Sequence, residues 1–266
     1  MLRNIWLKSL RDQLRPALWY GIGLIALSAL VLAVYPTIRE SPDLNRTLQS
    51  LPDGVKALIG GTQLDLVSPA GYLQARLFAL IIPLIFLIYA IALGANAIAG
   101  EEEGGTLDLL LSYPVARGRV VREKALALCL LLCALGLLLW LTLLVGAAAV
   151  GMQIGGGRLA AATVSVVLLG FWFGAFALAL GCATGKRGMT LGVSAAVAVT
   201  GYLVQSLSLL VSGLRPIAKV SPFYLYADGE PLRHGLNLAH VAALLIVTLA
   251  LFVIALAVFR RRDLAI

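Results

Sequence analysis

Long apolar runs, broken by short polar segments, set the architecture of this chain. Six stretches carry no charged residue: 16–38, 77–100, 125–157, 159–185, 188–214 and 236–259. Each exceeds the roughly 20 residues that a helix needs to cross the hydrocarbon core of a bilayer. Lipid offers backbone N–H and C=O groups no partners, so runs of this kind satisfy them internally, as helices. The alternation that marks barrel strands is missing. The pattern predicts an all-α integral membrane protein, one domain over 1–266, with spans at about 16–38, 73–99, 125–150, 159–184, 189–213 and 237–259.

The polar segments have characters of their own. Residues 1–15 are amphipathic: Leu2, Ile5, Trp6, Leu10 and Leu14 share one helical face, while Lys8, Arg11, Asp12 and Arg15 share the other. That predicts a helix lying in the membrane interface. The first apolar run is long for a signal-peptide core and no small-residue cleavage site ends it, so it reads as a retained span. Segments 39–71 and 215–237 are the two longer loops, and 152–158 and 185–188 are tight Gly-rich turns. Phe223, Tyr224 and Tyr226 in the second long loop suit an interfacial aromatic belt.

Composition agrees with the pattern and charge orients it. Apolar residues make up 61% of the 266, against about 45–50% in soluble domains. The net charge of +8 could point to nucleic acid, but its distribution argues for a membrane. Thirteen of the 21 Lys and Arg lie in 1–15, 100–124, 186–187 and 260–262. Most of the rest sit in the two longer loops, where the bias counts for less. The excess places both termini and 100–124 in the cytosol, next to anionic lipid, with no nucleic-acid partner.

Segment 100–124 is the most telling. It opens with Glu101, Glu102 and Glu103, passes a Gly pair to Thr106 and the apolar run Leu107–Leu111, stops at Pro114, and closes with Arg117, Arg119, Arg122 and Lys124. Thr106 is placed to cap a short helix, and Asp108 suits its N-terminal dipole. Leu107, Leu110 and Leu111 would then form a ridge able to seat in a partner's groove, with the glutamates at its rim.

The segment resembles the cytosolic loop of bacterial ABC-type exporter permeases of the second (ABC-two) family. Glu101–Glu103, Gly105-Thr106-Leu107, Leu109 to Leu111, Pro114-Val115 and Arg117 carry the likeness. A weaker echo lies at Ser221-Pro222-Phe223-Tyr224 and at Pro231-Leu232-Arg233-His234-Gly235. The resemblance implies a permease subunit of an exporter in the bacterial cell membrane, its cytosolic coupling helix docking on two copies of a separate ATPase subunit. Glu101, Glu102, Glu103, Gly105, Thr106, Leu107, Leu110, Leu111, Pro114 and Arg117 would form that contact. It also implies a second permease copy, as a homodimer, and short helices that dip back into the membrane within 215–237. The second and fifth spans would line the path, with Phe86, Tyr89, Asn96, Thr200, Tyr202 and Gln205 as wall residues. An uncharged wall suits an amphipathic, lipid-like or drug-like cargo.

Chemistry within the chain is sparse. His234 and His240 are its two histidines and do not form a His-Glu-x-x-His zinc site. Gly181-Cys-Ala-Thr-Gly185-Lys186-Arg187 falls one residue short of a phosphate loop and lacks the Ser or Thr that would bind magnesium. No cofactor is expected in this chain, so ATP and magnesium would belong to the partner ATPase. No Asp, Glu, Lys or Arg falls at mid-span, which argues against a proton- or sodium-coupled carrier. That carrier, or a membrane assembly factor, is the alternative reading. Gly170-x3-Gly174 and Gly181-x3-Gly185 mark close helix contacts, either within one bundle or between subunits.

Overall fold

The computed structural model describes residues 5–39, 68–107, 116–208 and 211–262. Leu110, Leu111 and Pro114 of the expected coupling helix, and most of the expected loop 39–71, lie outside the described residues.

Among the described residues, six helices are long and apolar enough to span a membrane. Most start earlier or end later than expected, whereas the fifth, expected to reach 213, ends at Ser208. The first helix runs unbroken over Ile5–Arg39, joining the amphipathic segment to the first span. Pro16 costs one backbone donor there, yet the helix continues through it. At 1.5 Å per residue such a helix is roughly 50 Å long, well beyond the roughly 30 Å hydrocarbon core, so its polar first turns extend past the apolar slab. The third span likewise starts at Arg117, taking in the basic residues read as loop, and ends at Ala149. The fourth covers Gly156–Thr184, the fifth Arg187–Ser208 and the sixth Leu238–Arg261.

The second span is the irregular one. It starts at Pro69, where the Ser68 hydroxyl accepts from Gly71 N–H. It changes to π-helix at Gln74–Phe78, returns to α-helix over Ile81–Ala95, turns π again at Asn96–Gly100 and ends as Glu101–Glu103. Each π turn shifts the side-chain register, and such bulges occur often at functional sites.

The fourth span is the hub, packing on the second, third, fifth and sixth. Its contact with the second is close. A Cβ added to Gly94 would fall 2.4 Å from the Gly174 carbonyl oxygen and 2.9 Å from Leu178 N. Backbone thus packs on backbone, as small residues allow in lipid. The Gly170 and Gly174 pair therefore packs within the chain, against Phe86, Leu132 and Leu128. One core cluster joins the first four spans. A second, with Ile98, Leu107, Val120, Val121, Leu178, Cys182 and Phe259, sits at the end that carries the charges. The outward faces of the helices show Leu18, Trp19, Val145, Ile246 and Leu249, which only lipid or another apolar surface tolerates together.

The region 215–237 forms three short helices, Arg215–Ala218, Pro222–Ala227 and Pro231–His234. The middle one inserts between spans. Phe223 is buried with its ring 5.6 Å from Phe173 and 5.8 Å from Tyr202. Tyr226 donates to the Phe78 carbonyl at 2.6 Å, and the Ser221 hydroxyl donates to the Gly201 carbonyl at 3.3 Å. Gly201 lies roughly 10 Å along the helix from the far end of the fifth span, so the segment dips well inside the bundle. Only Tyr224 keeps a belt-like position. It is hydrogen-bonded to Asp228, whose acceptor and charge push the phenol pKa up.

Gly94→Ala forces a Cβ onto backbone that has no room to yield, whereas a Cβ at Gly170 meets side chains at 3.6 Å, an ordinary contact. We expect Gly94→Ala to cost about 1–3 kcal/mol and to lower the thermal midpoint in detergent. Gly170→Ala should stay near wild type. Equal midpoints for the two variants would contradict the close contact of the second and fourth spans.

Candidate functional site

The polar residues of the second span's last turn gather the other spans around them. Gly104 and Gly105 stop this helix: Gly104 N–H donates to the Gly100 carbonyl, Gly105 N–H to the Glu102 carbonyl, and Gly105 sits at φ +66. Three carboxylates therefore crowd the negative end of a helix dipole, which is unfavourable by itself. Each finds compensation on a different element. Glu101 accepts from Lys124 Nζ at the start of the third span. Glu102 takes a two-pronged grip from Arg262 just past the sixth span, at 2.7 and 2.9 Å. Glu103 accepts from the backbone N–H of Arg187 at 2.8 Å, so it supplies negative charge at the positive N-terminus of the fifth span.

The remaining spans join through the same residues. Arg262 also donates to the Cys182 carbonyl on the fourth span at 3.3 Å, and its own carbonyl accepts from Arg117 at 2.7 Å. The Arg187 side chain donates to Asn96 Oδ1. Glu123 accepts from Trp6 N–H at 3.2 Å and from Arg119 at 2.7 Å, which ties the first helix to the third. All six spans thus meet in one polar ring at the charged end of the bundle.

Burial varies around the ring. Lys124 is 7% exposed, while Arg262 and Glu102 are 21% and 25% exposed. Gly185 makes room for the Glu102–Arg262 pair. It ends the fourth span at φ +65, and a Cβ there would lie 2.3 Å from an Arg262 nitrogen and 2.6 Å from both Glu102 oxygens. Glycine is needed at this position for conformation and for space.

This geometry changes the role read for several residues. Glu101, Glu102 and Glu103 were expected at the rim of a partner contact, yet each is held by this chain's own helices. Thr106 was expected to accept from a following turn, which lies outside the described residues; its hydroxyl donates back to the Glu101 carbonyl at 3.2 Å. Leu107 was expected on an exposed ridge; it is 1% exposed, in the core cluster at the charged end. Leu107 lies two residues past the Gly104-Gly105 turn, after Thr106, and that turn swings it inward. Arg117 binds the chain's own C-terminal backbone.

The expected path residues also divide. Phe86 and Tyr89 are 0% and 1% exposed and pack inside the bundle, where the Tyr89 ring lies tilted against Tyr20 with ring centroids 4.7 Å apart. In this arrangement they face no open path. Thr200 is exposed, Tyr202 and Gln205 are half-buried on the fifth span, and Asn96 belongs to the ring. The residues missed in sequence are Lys124, Gly185, Arg187 and Arg262. A helix-ending Gly pair directly after three glutamates was the available signal. Their partners are remote in sequence, and the basic residues served only to orient the chain.

Comparison with known proteins bears on the same span of sequence. The family model described as "ABC-2 family transporter protein" matches residues 3–264. The chain is similar to the "Probable ABC transporter permease protein NosY" of Stutzerimonas stutzeri, 34% identical over 159 residues, 56% of this chain and 54% of that protein. The protein of the same description from Pseudomonas aeruginosa is 40% identical over 98 residues, 36% of this chain and 32% of that one. The matches thus span about half and about a third of these relatives' lengths.

A double-mutant cycle tests the ring. Glu102→Gln and Arg262→Gln should each destabilise the protein in detergent, and the pair should be less than additive by about 1–2 kcal/mol. That is below the ~3–5 kcal/mol for breaking a fully buried pair, because both groups keep some solvent. The coupling should shrink as salt rises. Additive effects within 0.3–0.5 kcal/mol, roughly the error for independent sites, would mean that the contact contributes no stability.

Proposed function

The chain belongs to the ABC-2 family of transporter proteins, and from that premise we propose that it is the membrane permease subunit of an ATP-driven exporter. A separate ATPase subunit would bind ATP and magnesium and would dock on the segment between the second and third spans. Two permease copies would enclose the path, with both termini and the charged end in the cytosol. The cargo would be amphipathic, lipid-like or drug-like, since the spans offer it no mid-depth charge.

One observation supports this reading most directly. The proposed docking segment is rooted at Leu107, and Leu107 is packed among residues of the second, third, fourth and sixth spans. The glutamates just before it hold the third, fifth and sixth spans through Lys124, Arg187 and Arg262. A displacement applied to residues 108–115 therefore has a stiff route into the bundle. The π turns at Asn96–Gly100 and Gln74–Phe78 give the second span two places where register can change as it moves. Within this proposal Leu110 and Leu111 would seat in the partner's groove, Pro114 would end their run, and Leu107 and the glutamates would transmit motion instead of touching the partner.

Co-purification with the nucleotide-binding subunit, followed by reconstitution, tests the proposal. Leu110→Asp places a charge in the apolar contact at a cost of at least about 2 kcal/mol, so association should weaken more than tenfold while the chain still inserts. Wild-type transport and ATPase rates in that variant would remove the segment from the mechanism. Orientation is checked by labelling from outside: a cysteine at Ser50 should react and one at Ser112 should not. The reverse pattern would overturn the cytosolic placement of the ring.

A further inference from the structure

A recess of about 340 Å³ opens at the charged end, between the first helix, the second and third spans and Arg187. It has room for about ten water molecules, at the small end of ligand pockets. Its lining has two characters. Asp12, Glu101, Asn96, Lys124 and Arg187 supply polar and charged groups, while Leu93, Ala97, Ala127, Leu128 and Leu131 supply an apolar floor.

The charges balance: two carboxylates and two cations border one small space. A lone anion would meet Asp12 and Glu101, and a lone cation would meet Lys124 and Arg187. A group that carries an ammonium and a phosphate a few bonds apart satisfies both pairs. The site is built from groups with different degrees of freedom. Lys124 is 7% exposed and fixed on Glu101, so it is a rigid fixture of the recess. Arg187 is exposed, with its Nε held by Asn96. Asp12 is exposed on the polar face of the first helix. The apolar floor gives an acyl or glycerol portion a place to rest. The surroundings fit as well, because the first helix extends past the hydrocarbon slab and carries Asp12 at headgroup level.

We propose that this recess binds the headgroup of a zwitterionic phospholipid with a primary ammonium, such as phosphatidylethanolamine, from the leaflet at the charged end. The ammonium donates toward Asp12 and Glu101, and the phosphate accepts from Arg187 and Lys124. Phosphatidylcholine has the same charges but no N–H to donate, and phosphatidylglycerol has no cation. The order of preference is therefore set by chemistry that the recess can read. A lipid seated here would lie against the ring that joins the spans, and it would bind whether or not the chain carries cargo.

Native mass spectrometry of the full chain, released from nanodiscs with equal shares of phosphatidylethanolamine, phosphatidylcholine and phosphatidylglycerol, tests this. One phosphatidylethanolamine per chain should be retained, at least fivefold over either competitor. Asp12→Lys, on an exposed position away from the ring, should abolish that preference. Ala127→Leu, which fills the floor without touching a charge, should reduce retention of all three lipids. Equal retention of the three lipids by the wild-type chain would overturn the proposal, as would an undiminished preference in Asp12→Lys. Displacement of the lipid by equimolar soluble phosphoethanolamine would also overturn it, since the apolar floor would then contribute nothing.

Discussion

Three glutamates at the end of one helix impose the constraint on which the rest of this bundle depends. A helix C-terminus already carries partial negative charge, so Glu101, Glu102 and Glu103 demand positive partners nearby. Apolar contact cannot set the arrangement of spans in lipid, because lipid tails are as apolar as leucine. Directional contacts at the ends therefore matter more than in a soluble fold. Lys124, Arg262 and the N-terminus of the fifth span answer the three charges, and each answer fixes the position of a different helix.

The interior follows from the same scarcity of driving force. Where side chains gain nothing by leaving water, close backbone approach and dispersion decide which helices touch. Gly94 against Gly174 brings the second and fourth spans together in the half nearer the charged end. Tyr72 donates to the Val31 carbonyl at 2.7 Å, and Trp140 donates to the Gly156 carbonyl at 3.1 Å, so these two side chains each hold a neighbouring span. The short helix at Pro222–Ala227 fits the same rule: its backbone departs from a simple span only where protein surrounds it.

A bundle joined at one polar end and packed through glycines within the spans is suited to move in pieces. Ion pairs at an interface exchange partners at low net cost, because separation returns part of each charge's hydration. Glycine contacts resist small shifts, since displaced backbone meets backbone at once. The charged end is thus where a force from outside the membrane is most readily distributed among the spans. The segment that would receive it emerges from that end.

The sequence by itself determined the number of spans, their helical nature, the orientation expected from charge, and the family to which the chain belongs. All of these rest on local features: run length, the absence of charge, and the contiguous motif between Glu101 and Arg117. It placed the starts of the first and third spans several residues late, because it equated the span with its apolar part, whereas their polar ends continue as helix. Only the tertiary structure decided what the acidic motif touches. Glu102 and Arg262 are separated by 160 residues, and Glu103 and Arg187 by 84, so no periodicity or spacing links them. It also decided that Leu107 turns inward and that Phe86 and Tyr89 face the core. The direction of a side chain depends on the register of its helix, and two π turns shift that register in the second span. Partner choice at the polar ring is a property of where helices end relative to one another, and this is fixed by packing in three dimensions.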